Sequence, residues 1–158
     1  MNKKLKIVVT ASIIVVGVFL VMFVLSEVRK REVKKAVVTY IDVLEKAHLE
    51  SNPSLMSKLI SEWQLKKIDS YISYNLKARR IVNGNLKEIS FNEITIKDDI
   101  ATVVTTERWI WFYIDPVSRK PVSEVFDEIN GSTYHLKKTE GHWIVDNIIS
   151  DVIEKGEG

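Results

Sequence analysis

Residues 7–25 constrain this chain more than any other stretch: Ile-Val-Val-Thr-Ala-Ser-Ile-Ile-Val-Val-Gly-Val-Phe-Leu-Val-Met-Phe-Val-Leu, nineteen residues without a charge. At about 1.5 Å per residue, a helix of that length reaches roughly the ~30 Å hydrocarbon core of a bilayer. The run is longer than the roughly 7–15 apolar residues of a cleaved signal peptide. It also lacks the polar face that an amphipathic surface helix would carry. The expectation is a single-pass transmembrane anchor over 7–26, preceded by a basic tail, 1–6, that holds Lys3, Lys4 and Lys6.

Orientation rests on competing charges. Arg29, Lys30, Arg31, Lys34 and Lys35 follow the run, and a count of positive charges alone would keep the downstream domain in the cytoplasm. Against this, the short trilysine tail is costly to move outward against the membrane potential, the behaviour of a signal anchor. The balance favours a cell-membrane protein with its domain outside the cytoplasm. The membrane itself is then the first expected partner.

The formal charge of +2 conceals an uneven distribution: from Ala36 onward there are 15 Lys/Arg against 19 Asp/Glu, a net of −4. The basic excess stands beside the apolar run, where anionic headgroups attract it. A nucleic-acid role needs a basic face on the folded domain, and none is expected here. The absence of Cys excludes thiol catalysis, thiolate metal sites and disulfides together. His48, His135 and His142 have neither HxxxH nor HExxH spacing, and no P-loop, GxSxG or GxGxxG occurs. No metal and no cofactor is expected.

Beyond the anchor there is room for one domain, 27–150. Residues 28–50 read as an amphipathic leading helix, with Val33, Ala36, Val37, Tyr40, Ile41, Leu44 and Ala47 on one face. Asn52-Pro53 gives an N-cap and a first helical residue. Ser61-Glu62-Trp63-Gln64 has the form of a capping box, so 53–79 reads as a short helix and a longer one. Leu55, Met56, Leu59, Ile60 and Trp63 form one stripe, and Ile68, Ile72 and Leu76 continue it. From residue 80 the period becomes two. Alternation over 91–98, a tight turn at Asp98-Asp99 and a β-branched, aromatic strand over 100–114 follow. Asn130-Gly131 interrupts 122–138 as either a hairpin turn or a kink. A last strand runs from His142 to Ile149, and the acidic residues 151–158 are expected to fray.

The fold class is α+β: three helices on a curved antiparallel sheet of about four strands. Asp99-Ile-Ala-Thr-Val103, Tyr134-His-Leu136 and Gly141-His-Trp143-Ile-Val145-Asp-Asn-Ile148 resemble the closing strands of the nuclear-transport-factor-two-like superfamily, the cystatin-like α+β cone. That resemblance covers residues 33–150 and implies a fold; its members include isomerases, dehydratases, ligand binders and domains that only assemble complexes. Members with a single membrane helix include inner-membrane assembly factors of secretion and conjugation machines.

Enzymes resembling this fold keep a carboxylate inside the cone, often with a His or Tyr. The candidates are Glu107, Asp115, Asp127 and Asp146, with His135 and His142; none falls in a catalytic motif, so no catalytic residue is assigned. Trp109, Trp111 and Tyr113 share one side of the aromatic strand, and Arg108, Ile110 and Phe112 the other. The first set either fills the cone with Trp63 and Trp143 or forms a binding surface, and is the candidate ligand- or partner-binding site. The expectation is a non-catalytic docking domain for another protein of the cell envelope, with self-association possible. The alternatives are a carrier of a small apolar ligand and, behind it, an isomerase- or hydrolase-like enzyme.

Overall fold

A computed structural model describes residues 3–156, with side chains from Leu20 onward. The chain forms two units, Met1–Glu32 and Val33–Gly158. Helix α1, Lys3–Glu50, opens the chain. In the first unit, Leu20 through Leu25 are each at least 57% exposed. Among the described residues no helix is long and apolar enough to cross a membrane. Most of the expected anchor, 7–19, lies outside the residues whose side chains are described.

In the second unit the apolar spacing of α1 does what its period dictates. Val33, Val37, Tyr40, Ile41 and Ala47 are buried, while Lys35, Asp42 and Lys46 face out. Ser51, at φ 52°, ends the helix, with the Asn52 N–H donating to the Ala47 carbonyl at 2.8 Å. Asn52 then caps a single 3₁₀ turn, Pro53–Met56, by accepting from the Ser54 N–H at 3.3 Å. Ser61 caps α2, Glu62–Lys77, by accepting from the Gln64 N–H. Only half of the capping box forms, because the Ser61 N–H is already bonded to the Val145 carbonyl at 3.0 Å. The domain therefore has two α-helices and not three: the short second element closes as one 3₁₀ turn.

Helix α2 also corrects the expected stripe. Its buried face is Gln64, Ile68, Ile72 and Asn75. Trp63 stands about 100° round the helix from Gln64, and is 62% exposed instead of core.

The sheet is a four-stranded antiparallel meander in the order β1-β2-β3-β4. Its strands are Ile81–Lys97, Ile100–Ile114, Phe126–Thr139 and His142–Lys155. Asp98-Asp99 is the expected tight turn, and Glu140-Gly141, both at positive φ, turns β3 into β4. Register shifts at Leu86/Glu88 and Phe91/Glu93 bend the edge strand β1. Asn130-Gly131 is a kink and not a hairpin. The strand continues through it, with a register shift at Ile129/Asn130, and a Cβ on Gly131 would meet Ile153 Cδ1 at 2.9 Å. The last strand outlasts its expected end at Ile149. Residues 150–155 pair with Glu128–Ser132, so an acidic segment expected to fray is held by backbone bonding. Near its start β4 is covered along its edge: the Val145 N–H donates to the Leu59 carbonyl, and Ile60 bridges Val145 in parallel.

Candidate binding surface

Strand β2 carries the candidate residues, and its two ends differ. From Ala101 to Glu107 every second side chain is buried beneath the helices. This inner face is filled: Val103, Tyr134, Leu136 and Val145 are each at most 2% exposed, and Tyr40 of α1 meets Tyr134 edge-on at 5.9 Å. Glu107 sits among them, 2% exposed. Its Oε1 accepts from Tyr134 Oη at 2.7 Å and Thr105 Oγ1 at 2.6 Å. Its Oε2 accepts from Trp109 Nε1 at 2.9 Å and Ser132 Oγ at 3.3 Å. A carboxylate offers about four lone-pair sites, and here the fold's own donors occupy them all. Burial, then the adjacent Glu107 charge, pushes the Tyr134 hydroxyl well above the ordinary tyrosine range. It remains a donor. The shared parity of Glu107 and Trp109 was legible in the sequence; the four donors, drawn from two strands, were not.

The other carboxylates do not gather round it. Asp127 is held by Arg108, Nε to Oδ1 at 3.0 Å and Nη2 to Oδ2 at 2.7 Å, which lowers its pKa. Asp115 accepts from the backbone N–H groups of Ser118 and Val117, and those bonds lower its pKa too. Asp146 pairs with Lys137 Nζ at 2.7 Å. His135 is half-buried and His142 exposed at the hairpin.

Past Glu107 the strand changes character. Trp109, Trp111 and Tyr113 are all half-buried, neither core nor fully in water. Trp109 packs on the core edge. Trp111 stacks on Phe126 at 4.2 Å, meets Tyr113 edge-on at 5.5 Å, and donates its Nε1 to Glu128 Oε2 at 3.0 Å. Trp143, by contrast, is buried, as expected of a core tryptophan.

Tyr113 leads to a feature that the sequence concealed. The Arg80 guanidinium lies 4.0 Å from the Tyr113 ring centroid and 5.9 Å from that of Tyr74. Arg80 donates its Nε to Asn75 Oδ1 at 2.8 Å, and buried Asn75 donates Nδ2 to the Tyr71 carbonyl at 3.0 Å. Together with His48, Ser51, Tyr71 and Val82, these two residues line a shallow, open cleft with about 10 Å³ of space. Burial pushes the His48 imidazole down to about 4, so at neutral pH it adds no charge. Read along the chain, Arg80 is one of a run of basic residues on a solvated face. Its partners lie five residues before it and 33 after it.

No protein-family model matches this sequence, and no curated protein does. Among solved structures, the intermembrane space region of chloroplast protein ARC6 aligns at a TM-score of 0.66 and 13% identity. That alignment covers 77% of this chain and 95% of the ARC6 chain. An uncharacterized protein with a cystatin-like fold from Caulobacter vibrioides aligns at 0.51 and 14% identity, over 77% and 89% of the two chains. The fold is cystatin-like. At such identities the likeness reaches no further than that. Within the cystatin-like domain, side chains fill the inner face, and a shallow open cleft lies near the aromatic end of β2.

Proposed function

We propose that this chain is a non-catalytic docking domain, held at a membrane by residues 7–26 and placed outside the cytoplasm, that binds another protein. The observation that carries the reading is the state of Glu107. An acid/base catalyst needs a lone pair or proton that faces substrate, and a ligand carrier needs space inside. This carboxylate is saturated by Tyr134, Thr105, Trp109 and Ser132 within a filled interior. Apolar groups that would profit from cover lie outside instead. Val117 is 85% exposed, and Ile149, Val152 and Ile153 on the open half of β4 are 53%, 48% and 64% exposed. Exposed apolar side chains, those of β4 beside an unpaired strand edge, favour contact with another polypeptide. The anchor reading rests on the uncharged run and the basic residues that flank it.

Photo-crosslinking in cells tests this with the full chain. A photoreactive residue replacing Val117 or Ile153 is expected to give discrete heavier adducts, while one at Ser70, on the solvated face of α2, gives none. Adducts absent at all three positions, or identical at all three, would remove the docking reading. A phosphatase fusion after Gly158 is expected to be active and a cytoplasmic reporter there silent; the reverse pattern would place the domain inside.

A further inference from the structure

The cleft beside Tyr113 contains a cation, Arg80, that has no ion-pair partner among the described residues. Arg108 has Asp127 and Glu88 as ion-pair partners, and Arg119 Nη2 donates to the Leu49 carbonyl at 3.2 Å. Among the described residues no carboxylate forms an ion pair with Arg80. Its position is nevertheless defined. The bond to Asn75 fixes Nε, the Tyr113 ring fixes one face, and the Arg80 N–H donates to the Asn75 carbonyl at 3.0 Å. With Nε engaged, the Nη nitrogens remain to donate. A guanidinium held planar and half desolvated among neutral side chains is preorganised for a bidentate oxyanion. Its charge is incompletely compensated by ring faces and one amide oxygen, which is what a carboxylate would complete.

We propose that this cleft is a specificity subsite for a docked polypeptide, taking at its mouth the carboxylate of an Asp or Glu side chain from a partner while an apolar neighbour of that residue lies on Tyr74. This rests on the docking reading and gives it a chemistry. Size favours a tethered head group over a free small molecule. The recess has only about 10 Å³ of space, room for about one water and far short of the ~300–1,000 Å³ that encloses a whole ligand. It can therefore meet only a group presented at its mouth. Tyr74, 63% exposed beside the cation and outside the cleft itself, supplies an apolar surface that a polypeptide flank would use.

The test uses the full chain in dodecyl maltoside micelles and two end-blocked peptides, acetyl-Leu-Glu-Leu-amide and acetyl-Leu-Gln-Leu-amide, with benzoate as a free carboxylate. Side-chain nitrogen resonances of Arg80 and Asn75 report binding. The Glu peptide is expected to bind at least about ten-fold more tightly than the Gln peptide, the worth of a charge-assisted pair. That preference should vanish in Arg80→Gln, shrink in Arg80→Lys, which keeps the charge without the fork, and survive Arg79→Gln. Equal binding of the two peptides overturns the proposal, as does a preference that survives Arg80→Gln. If Arg80→Gln fails to fold, an undiminished preference in Arg80→Lys overturns it. Benzoate binding as tightly as the Glu peptide would make this a free-carboxylate site. Self-association lost in Arg80→Gln would make the occupant a second copy. Either result replaces the partner polypeptide as occupant. Failure of the peptide test leaves the crosslinks from Ile153 and Val117 standing, so the subsite and the docking reading fail separately.

Discussion

Two charges organise this domain, and they are held in opposite ways. Glu107 lies under the helices with both oxygens filled by four neutral donors of its own fold. Arg80, in the link between α2 and β1, lies half-exposed against Tyr113 at the far end of β2, with one nitrogen engaged and its ring neighbours offering only π faces. A buried charge whose bonds are complete specifies the fold and has nothing to give a second molecule. A positioned charge with donors to spare stabilises little by itself and is available to bind. The contrast is measurable, because removing the first should cost stability and removing the second should cost recognition.

The largest effect is expected at the closed end. Glu107→Leu leaves the donors of Thr105, Trp109, Ser132 and Tyr134 without an acceptor, and should destabilise the domain by about 4 kcal/mol, since each stranded donor costs roughly 1–3 kcal/mol and some re-pair. Glu107→Gln keeps the shape but turns an NH₂ toward two of those donors, and should cost about half as much. Urea unfolding measures both. A loss below about 1 kcal/mol for the leucine variant would mean that the hydroxyls satisfy each other, as Ser132 and Ser150 already do at 2.9 Å, and the closed end would no longer be held by its charge.

A second effect, intermediate in size, comes from the cleft. His48 is pushed down to about 4 by burial, against about 6.5 in an unfolded chain. The unfolded state therefore binds the proton first as pH falls. The contribution is complete above about pH 6.5 and is lost progressively down to about pH 4, on the order of 2–3 kcal/mol in all. Stability measured from pH 7 to pH 4 should fall, and His48→Phe should flatten that slope. A slope unchanged by the substitution would mean that His48 does not carry the acid response, since Asp115 and Asp127, whose pKa values are lowered, lose their contribution mainly below about pH 4.

The contrast between the two ends also marks what could be read from the sequence. Strand β2, Ile100–Ile114, was legible to the residue because β-branched and aromatic side chains fill it and Asp98-Asp99 and Asp115-Pro116 bound it. The caps at Asn52 and Ser61 were legible because a side-chain oxygen next to the break is a local signal. Trp63 was misplaced because the phase of α2 is set by two buried polar residues, Gln64 and Asn75, which composition places outside. The end of β4 was misplaced because backbone pairing to β3 holds residues whose side chains prefer water. Glu107 could be put inside by parity, but its donors Ser132 and Tyr134 stand 25 and 27 residues away. Arg80 was hidden for the same reason: nothing in a run of basic residues says which one meets an aromatic ring.

The smallest expected effect on stability is at the open end, and it is the one that separates the two charges. Arg80→Gln keeps a long polar side chain that can still donate to Asn75 and lie on Tyr113. It loses a cation–π contact worth roughly 0.5–1 kcal/mol at a half-exposed site, offset by relief of an unpaired charge. The net cost in urea unfolding should be under about 1 kcal/mol, with the acid slope from His48 preserved. A loss of several kcal/mol would class Arg80 with Glu107, as a charge whose bonds build the domain. Its missing carboxylate would then be a consequence of packing rather than a vacancy for a partner. A near-silent change in stability, joined to the loss of the Glu-peptide preference, would leave two charges packed on β2 residues, one closed by the fold and one completed by whatever docks on it.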